Sequence, residues 1–412
     1  MQETGLPLWP ITDRSLRVCD ASRRLLWTFN VIDEDTPEGV SRRGDGAAMR
    51  DVAQFISCVV GVAVLALLGV PEHPTPVLVP PMAAEVAPSG PTLVFATFNV
   101  CKTDCAPPAP SWDVRRDRVA RTIVESGIDI VGLQEVTHQP TTSAKTQYLD
   151  LQALTAPFGY IAPSYTSESD HCRWTADNPH PCTHTTGLLF STRTVEQVSL
   201  PGGLASAGTV SMAEIASGLT VEAAQRKVVW AYLRGLNGFG PFLALSVHTS
   251  TLKDPANEAS RVAFGSALDA WVRALDAAHG MSGAPTVLMA DLNSYAKRQP
   301  RGVQEVLTRA GWLDAASAPV RRNIEYSTIN YNPLLSVNEQ GFPVRPYRFR
   351  VPRTKSGPTA TRIDYIFTSA GLKALDYEVV IRLNANGTFE PDYQGSDHQL
   401  VRATIEYEGP VA

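Results

Sequence analysis

Six apolar runs of this chain end, or begin, at a residue that can bind a metal, move a proton or hold an anion. In TFNV that residue is Asn99, in DIVGLQEV it is Gln134 with Glu135, and in FLALSVHTS it is His248. TVLMADLNS supplies Asp291 and Asn293, which point the same way if a strand period of two continues through them. TRIDYIFTS sets Asp364 inside an apolar run, where a carboxylate needs a partner or a hydrogen bond to be tolerated. GSDHQLVRATIEY leads through Asp397 and His398 into a last β-rich run. Singly, each has a bland reading: a turn-forming Asn, an ion-paired carboxylate, a structurally satisfied His. Together, if the runs converge, their tips build one cleft with at least four acidic groups, which repel one another unless a cation is present. Hard oxygen ligands select Mg²⁺, Mn²⁺ or Ca²⁺ over zinc. Such an ion beside two imidazoles and two amides suits a phosphate ester. The cation offsets charge on the phosphoryl oxygens, the amides and one His donate hydrogen bonds to them, and the other His takes a proton from water.

The elements that must carry these groups alternate. Short β-rich runs fall at Leu93–Val100, Ile128–Leu133, Gly187–Ser191, Val228–Arg234, Phe242–His248, Thr286–Ala290, Arg362–Thr368 and His398–Glu406. Helical patterns fall at Val114–Ser126, Ala144–Ala156 and Asn257–Ala278. In the last of these Val262, Leu268, Trp271, Val272 and Leu275 recur at helical spacing and predict a core face. Strands at this density with helices between them predict two sheets packed face to face and covered by helices.

The ordered set Asn99, Glu135, His248, Asp291-x-Asn293, Asp364 and Ser396-Asp397-His398 resembles the endonuclease/exonuclease/phosphatase superfamily. That superfamily takes in secreted pancreatic-type deoxyribonucleases, abasic-site endonucleases, neutral sphingomyelinases, inositol polyphosphate 5-phosphatases and messenger-RNA deadenylases. The resemblance runs from Thr92 to about Tyr407. It implies an α/β fold, a four-layer α/β/β/α sandwich of two packed mixed sheets flanked by helices, with the active site where the sheets meet at one edge. It implies Glu135 as the main Mg²⁺ ligand, with Asn99 and Asp397 close to the metal, and Mn²⁺ or Ca²⁺ as substitutes. His398 matches the general base and Asp364 the carboxylate that orients it. Asp291 matches the residue that positions the attacking water or a second metal. His248 and Asn293 match phosphate-binding residues, and the His disfavours the abasic-endonuclease branch. Ala290 stands where the family's Gly-Asp-x-Asn pattern has glycine.

With 412 residues, 44% hydrophobic and 19% charged, the chain has ordinary globular composition and length enough for a large core. A net charge of -5 gives no global attraction to nucleic acid or anionic lipid, although a bound cation and a local basic patch reverse the field at a site. Residues 1–48 show no sustained apolar period and suggest a disordered tail. Within 49–70, the run 52–70 (VAQFISCVVGVAVLALLGV) carries no charge and approaches the roughly 20 residues that cross a bilayer. It reads as a signal anchor, as a signal peptide of a chain starting at Met49, or as a buried helix. Arg42, Arg43 and Arg50 before it place its C-terminal side outside the membrane. Residues 71–91 are a Pro-rich spacer, and residues 92–412 are the expected catalytic domain, a monomer.

Of six cysteines, Cys101, Cys105, Cys172 and Cys182 sit in polar, Pro-rich stretches. In an oxidising compartment they predict disulfides, with the sequence-local pairing preferred. Free thiols are the cytosolic alternative, and the spacings do not suit a four-cysteine zinc site. Arg345, Arg348, Arg350, Arg353, Lys355 and Arg362, interleaved with Tyr347 and Phe349, can hold a polyanionic backbone or form a solvated loop. The segment Ser164–Thr185, with His171, His180 and His184, is a second insertion without metal-ligand spacing. With the export signal, the resemblance implies a metal-dependent phosphoesterase outside the cytoplasm, for which a nuclease is the preferred reading. A sphingomyelinase-like phosphodiesterase, a phosphomonoesterase and a catalytically inactive binding module are the alternatives.

Overall fold

Alternation with a period of two runs through the long apolar segments, and each strand therefore presents one apolar face to each side. The computed structural model describes residues 15–19, 25–30, 87–103, 105, 110–136, 146–164, 186–297, 299–330, 337, 343–346, 348 and 361–409. The chain divides into two units, 1–79 and 80–412. In the first, β1 (Ser15–Cys19) and β2 (Leu25–Asn30) pair antiparallel. This two-stranded ladder lies in the stretch where the lack of an apolar period suggests a tail. The run 52–70, most of the Pro-rich spacer, Cys172, Cys182 and the loop histidines lie outside the described residues.

The second unit holds two seven-stranded sheets. One contains β3 (Thr92–Asn99), β4 (Ile130–Gln134), β5 (Tyr160–Ile161), β6 (Thr186–Ser191), β13 (Val320–Arg322), β15 (Leu372–Val379) and β16 (Val401–Tyr407), in the order β13-β15-β16-β3-β4-β6-β5. The other contains β7 (Val195–Gln197), β8 (Ala207–Ser211), β9 (Lys227–Gly235), β10 (Phe242–His248), β11 (Thr286–Asp291), β12 (Leu313–Asp314) and β14 (Asp364–Thr368). Its order is β12-β14-β11-β10-β9-β7, with β8 also paired to β9. Both sheets are mixed: β3 runs parallel to β4 and β10 parallel to β11, while β16 and β14 join antiparallel.

Three apolar layers result from the alternation. Phe95, Ile130, Leu188, Val229, Phe242, Met289, Ile366 and Ala403 fill the space between the sheets. The outer face of the first sheet, with Phe98, Val131 and Leu189, packs on α1 (Trp112–Glu125) and α2 (Gln147–Thr155) through Val119, Ile123 and Leu151. The outer face of the second, with Leu245, Leu288 and Phe367, packs on α5 (Pro255–His279) and α6 (Val303–Arg309). Two short helices, α3 (Met212–Ile215) and α4 (Val221–Gln225), complete that layer. The architecture is the four-layer sandwich.

Helix α5 starts where Asp254 caps the Asn257 N–H at 3.0 Å with Pro255 in the first turn, and stops at Gly280, whose φ of 68° is left-handed. Its buried stripe is Phe264, Leu268 and Val272; Val262 lies off it, and Trp271 and Leu275 are partly buried. The final strand begins at Val401, not at His398, because the chain first bends through a bridge between Ile329 and His398. Strand β15 (LKALDYEV) escapes an apolar-run reading because alternate residues face outward and a bulge between Ala374 and Asp376 shifts its register.

Candidate active site

Strand register sets the polar tips in rows. On the second sheet His248 pairs with Asp291 across β10 and β11, and Asp291 pairs with Asp364 across β11 and β14. The three continue the inward-facing series Ala244, Met289 and Ile366. On the first sheet Asn99 pairs with Gln134, continuing the inward series Phe95 and Ile130. The two rows face each other at one edge of the sandwich. Gln134 pins the sheets together just below: it accepts from Thr97 Oγ1 at 3.1 Å and donates to Ser246 Oγ at 3.3 Å.

The Asn99 amide lies between two carboxylates, donating to Glu135 Oε1 at 3.1 Å and to Asp291 Oδ2 at 3.0 Å. Glu135 also accepts from the Lys102 N–H at 3.1 Å. His248 Nε2 lies 3.4 Å from Asp291 Oδ2 and 4.0 Å from Glu135 Oε1. His398 presents Nδ1 to both oxygens of Asp364, at 3.1 and 3.0 Å, and its Nε2 is 3.9 Å from Asp291 Oδ2. Asp364 and Asp291 are buried, whereas the Glu135 side chain keeps 21% exposure and marks the mouth. Asn99, Glu135, His248, Asp291, Asp364 and His398 thus share one cluster.

One residue departs from the expected strand period, and one has a second neighbour. The strand period stops at Asp291, and Asn293 has a left-handed φ of 47°. It therefore does not repeat the direction of Asp291; its N–H caps Asp291 Oδ1 at 2.9 Å and its amide donates to Thr249 O at 3.3 Å. Asp397 adjoins His398 and helps to raise it, and its carboxylate also lies within 4.8 Å of the sulfurs of Cys101 and Cys105. Those sulfurs are joined in a disulfide with a Cα–Cα distance of 5.5 Å. Of the four non-glycine residues with positive φ among the described residues, Cys101, Glu135 and Asn293 are at this site. Such conformations cost about 1–3 kcal/mol each and persist where the surroundings over-determine them.

Burial sets the electrostatics. Asp291 is pushed up to about 7 by burial and by the neighbouring Asp364 carboxylate, with His398 and the Asn99 hydrogen bond opposing. Burial by itself lowers His398, but Asp364, Asp397 and Asp291 outweigh it and hold the imidazole well above its usual value. Asp291, Asp364 and His398 each bring a possible ligand atom within 4.8 Å of the others. The donors are carboxylate and amide oxygens with imidazole nitrogen, and the neighbouring sulfurs are locked together. That set fits a hard divalent cation.

Sequence reasoning missed the groups that position the cluster. Arg115 is fully buried on the α1 stripe Trp112–Arg115–Val119–Ile123. It donates to the carbonyls of Val100, Cys101 and Lys102 after β3, and to Gly395 O at 3.1 Å. One side chain so ties the loop that holds Glu135 to the loop that carries His398. An Arg in phase with an apolar helical stripe is the signal that could have found it. Thr328 Oγ1 accepts the N–H groups of Ile363 and Asp364, and Ser396 Oγ donates to Asn99 O at 2.7 Å. No sequence pattern marks Thr328.

A sandwich of two mixed sheets with carboxylates, imidazoles and amides gathered at one edge defines a hydrolase of phosphate esters. The profile of the Endonuclease/Exonuclease/phosphatase family matches residues 96–398, and the chain belongs to that family. A search of curated proteins returned no match. Among solved structures, a family protein from Bacteroides thetaiotaomicron is similar with a TM-score of 0.53 and 17% identity, over 77% of this chain and 98% of that one. One from Bacteroides vulgatus has a TM-score of 0.51 and 20% identity, over 77% of this chain and 100% of that one. A mannosyl-6-phosphatase from Bacteroides thetaiotaomicron has a TM-score of 0.52 and 17% identity, over 76% and 100%. At these identities the likeness is one of fold. Among the described residues no helix is long and apolar enough to cross a membrane.

Proposed function

We propose that this protein is a divalent-cation-dependent phosphodiesterase that cleaves nucleic acid outside the cytoplasm. The Asp364–His398 pair facing Asp291 carries the reading. With Nδ1 held by both Asp364 oxygens, the imidazole keeps one tautomer, and Nε2 accepts a proton from the water whose oxygen bonds to phosphorus, while the opposite P–O bond breaks and the leaving alcohol oxygen takes a proton from solvent. Asp291 positions that water, and His248 and Asn293 donate to the phosphoryl oxygens. Glu135 and Asp291, joined through the Asn99 amide, are the residues to hold the cation. Held there, a hard divalent ion would offset negative charge on the phosphoryl oxygens and would oppose the upward shift of His398. An inactive binding module would lack Glu135, Asp291 or His398; all three are present and clustered.

Export rests on the uncharged run 52–70 preceded by arginines, and a disulfide in the first site loop suits an oxidising compartment. The test is a substrate panel of plasmid DNA, RNA, sphingomyelin and inositol phosphates, in Mg²⁺ and in EDTA. Cleavage of nucleic acid that EDTA abolishes supports the proposal. Exclusive release of phosphate from a small polyol ester ends it. Fractionation of cells expressing the chain with and without residues 49–70 tests export.

A further inference from the structure

Beside the catalytic edge is a cavity of about 600 Å³ that the proposed reaction does not use. Three of its walls come from segments that carry reacting groups. Tyr295 lies two residues past Asn293, Arg362 two residues before Asp364, and Tyr326 directly before Ser327, which holds the Thr361 backbone, and Thr328, which holds those of Ile363 and Asp364. Its floor is Tyr377 from β15, a residue 1% exposed whose hydroxyl makes no hydrogen bond of ordinary geometry. Burial above all keeps that hydroxyl un-ionised, with Arg362 opposing and Asp314 and Asp364 adding to the effect. Arg362 is not available to grip an anion by itself, because Asp314 holds its fork at 3.1 and 2.5 Å. It stacks instead over Tyr365, 4.5 Å from the ring centroid. The exposed part of the lining carries Lys297 and Arg321 together with one acid, Glu325. Arg348, part of the basic and aromatic run, covers the outer face of the Tyr326 ring at 4.8 Å.

The volume is that of a small-molecule site. Aromatic walls, a buried hydroxyl and two rim cations that outnumber the single rim acid together suit a planar, polar ring attached to a charged backbone. We propose that this cavity receives the nucleoside esterified to the scissile phosphate, with Lys297 and Arg321 alongside the flanking phosphates. The proposal rests on the nuclease reading and adds to it the place where the substrate's base and sugar are bound.

Two chromogenic diesters with the same leaving group separate binding from chemistry: thymidine 5′-(p-nitrophenyl phosphate) and methyl p-nitrophenyl phosphate. Two variants leave the reacting groups untouched. Ala296→Trp narrows the cavity from an exposed rim position, and Tyr377→Phe removes only the hydroxyl. The intact chain in Mg²⁺ is expected to prefer the thymidine ester by at least about tenfold in kcat/KM. Ala296→Trp is expected to remove most of that preference through KM, Tyr377→Phe to reduce it severalfold, and both to leave the methyl ester within about twofold. Equal losses on the two esters, or no loss on either, would overturn the proposal. If plasmid DNA is still cut by the parent while the variants keep their preference, the cavity assignment fails and the nuclease reading stands. If the parent hydrolyses neither plasmid nor thymidine ester but releases phosphate from hexose phosphates, both fall together, and this is seen before any variant is made.

Discussion

Asp364 has no solvent exposure, and both of its oxygens are spent on a single imidazole nitrogen. That pairing decides what His398 can do: the ring cannot flip without stranding a buried carboxylate. His398→Ala is expected to lower kcat by on the order of 10²–10⁴ with little change in cation affinity, as steady-state rates and a cation titration would record. A variant with the parent's rate would place the base elsewhere. Asp291 links the base to the cation-binding carboxylate, and its titration has a definite sign. Burial and Asp364 raise it to about 7, so below that pH the folded protein holds a proton that a cation must displace. Apparent Mg²⁺ affinity is therefore expected to be flat above pH 8 and to fall toward tenfold per pH unit below about 7. Calorimetric titration from pH 5.5 to 8.5 measures this. Affinity constant over that range would remove Asp291 from the ligand set.

At the scale of elements, helix α1 does more than cover a sheet. Its buried Arg115 reaches the carbonyls of two loops, one after β3 and one before β16. A lysine keeps the charge but not the planar fork, and each carbonyl left unsatisfied in the interior costs about 1–3 kcal/mol. Arg115→Lys is expected to fold with a lowered thermal midpoint, to bind Mg²⁺ more weakly and to lose at least about tenfold in kcat/KM. Amide exchange should speed up at 100–102 and 395–398 before it changes elsewhere in the first sheet. Uniform acceleration across the sheet, with unchanged cation affinity, would make Arg115 a stability residue only. The elements that sequence patterning missed share a cause. Strands such as β7, β12 and β13 are two or three residues long, too short to show a period, and their existence depends on a neighbour to pair with.

At the scale of the whole molecule, the rows meet because the sheets approach closely at Gly132, where an added Cβ would stand 2.6 Å from the Cβ of Met289. Any side chain there must push the sheets apart. Gly132→Ala is expected to cost about 1–3 kcal/mol by overpacking, read from the denaturant midpoint. It should also lower activity in the fraction that remains folded, because it widens the gap between Asn99 and Asp291. A variant as stable and as active as the parent would show that the sheet separation is not critical. The close approach also explains the polar pins of Thr97, Gln134 and Ser246 beneath the site: buried polar atoms this near an opposing sheet need partners across it.

The chain's own order of residues determined the alternation of apolar faces, the places where strands stop at Asn99, Glu135, His248 and Asp291, and the presence of Asp364 within an apolar run, and so the family and the four-layer class. These are signals between near neighbours, set by side-chain direction along a strand. The tertiary structure alone decided that Asn99 reaches Asp291 across 192 positions, and that Asn293 breaks the strand period in a left-handed backbone beside Asp291. It also decided that Asp397 lies near the disulfide as well as near His398, and that Arg115 and Thr328 hold the backbone around the site. Register between strands and closeness between sheets come from packing contacts distant in the chain. A side chain's partner, its burial and its proton affinity are therefore settled only when those contacts form.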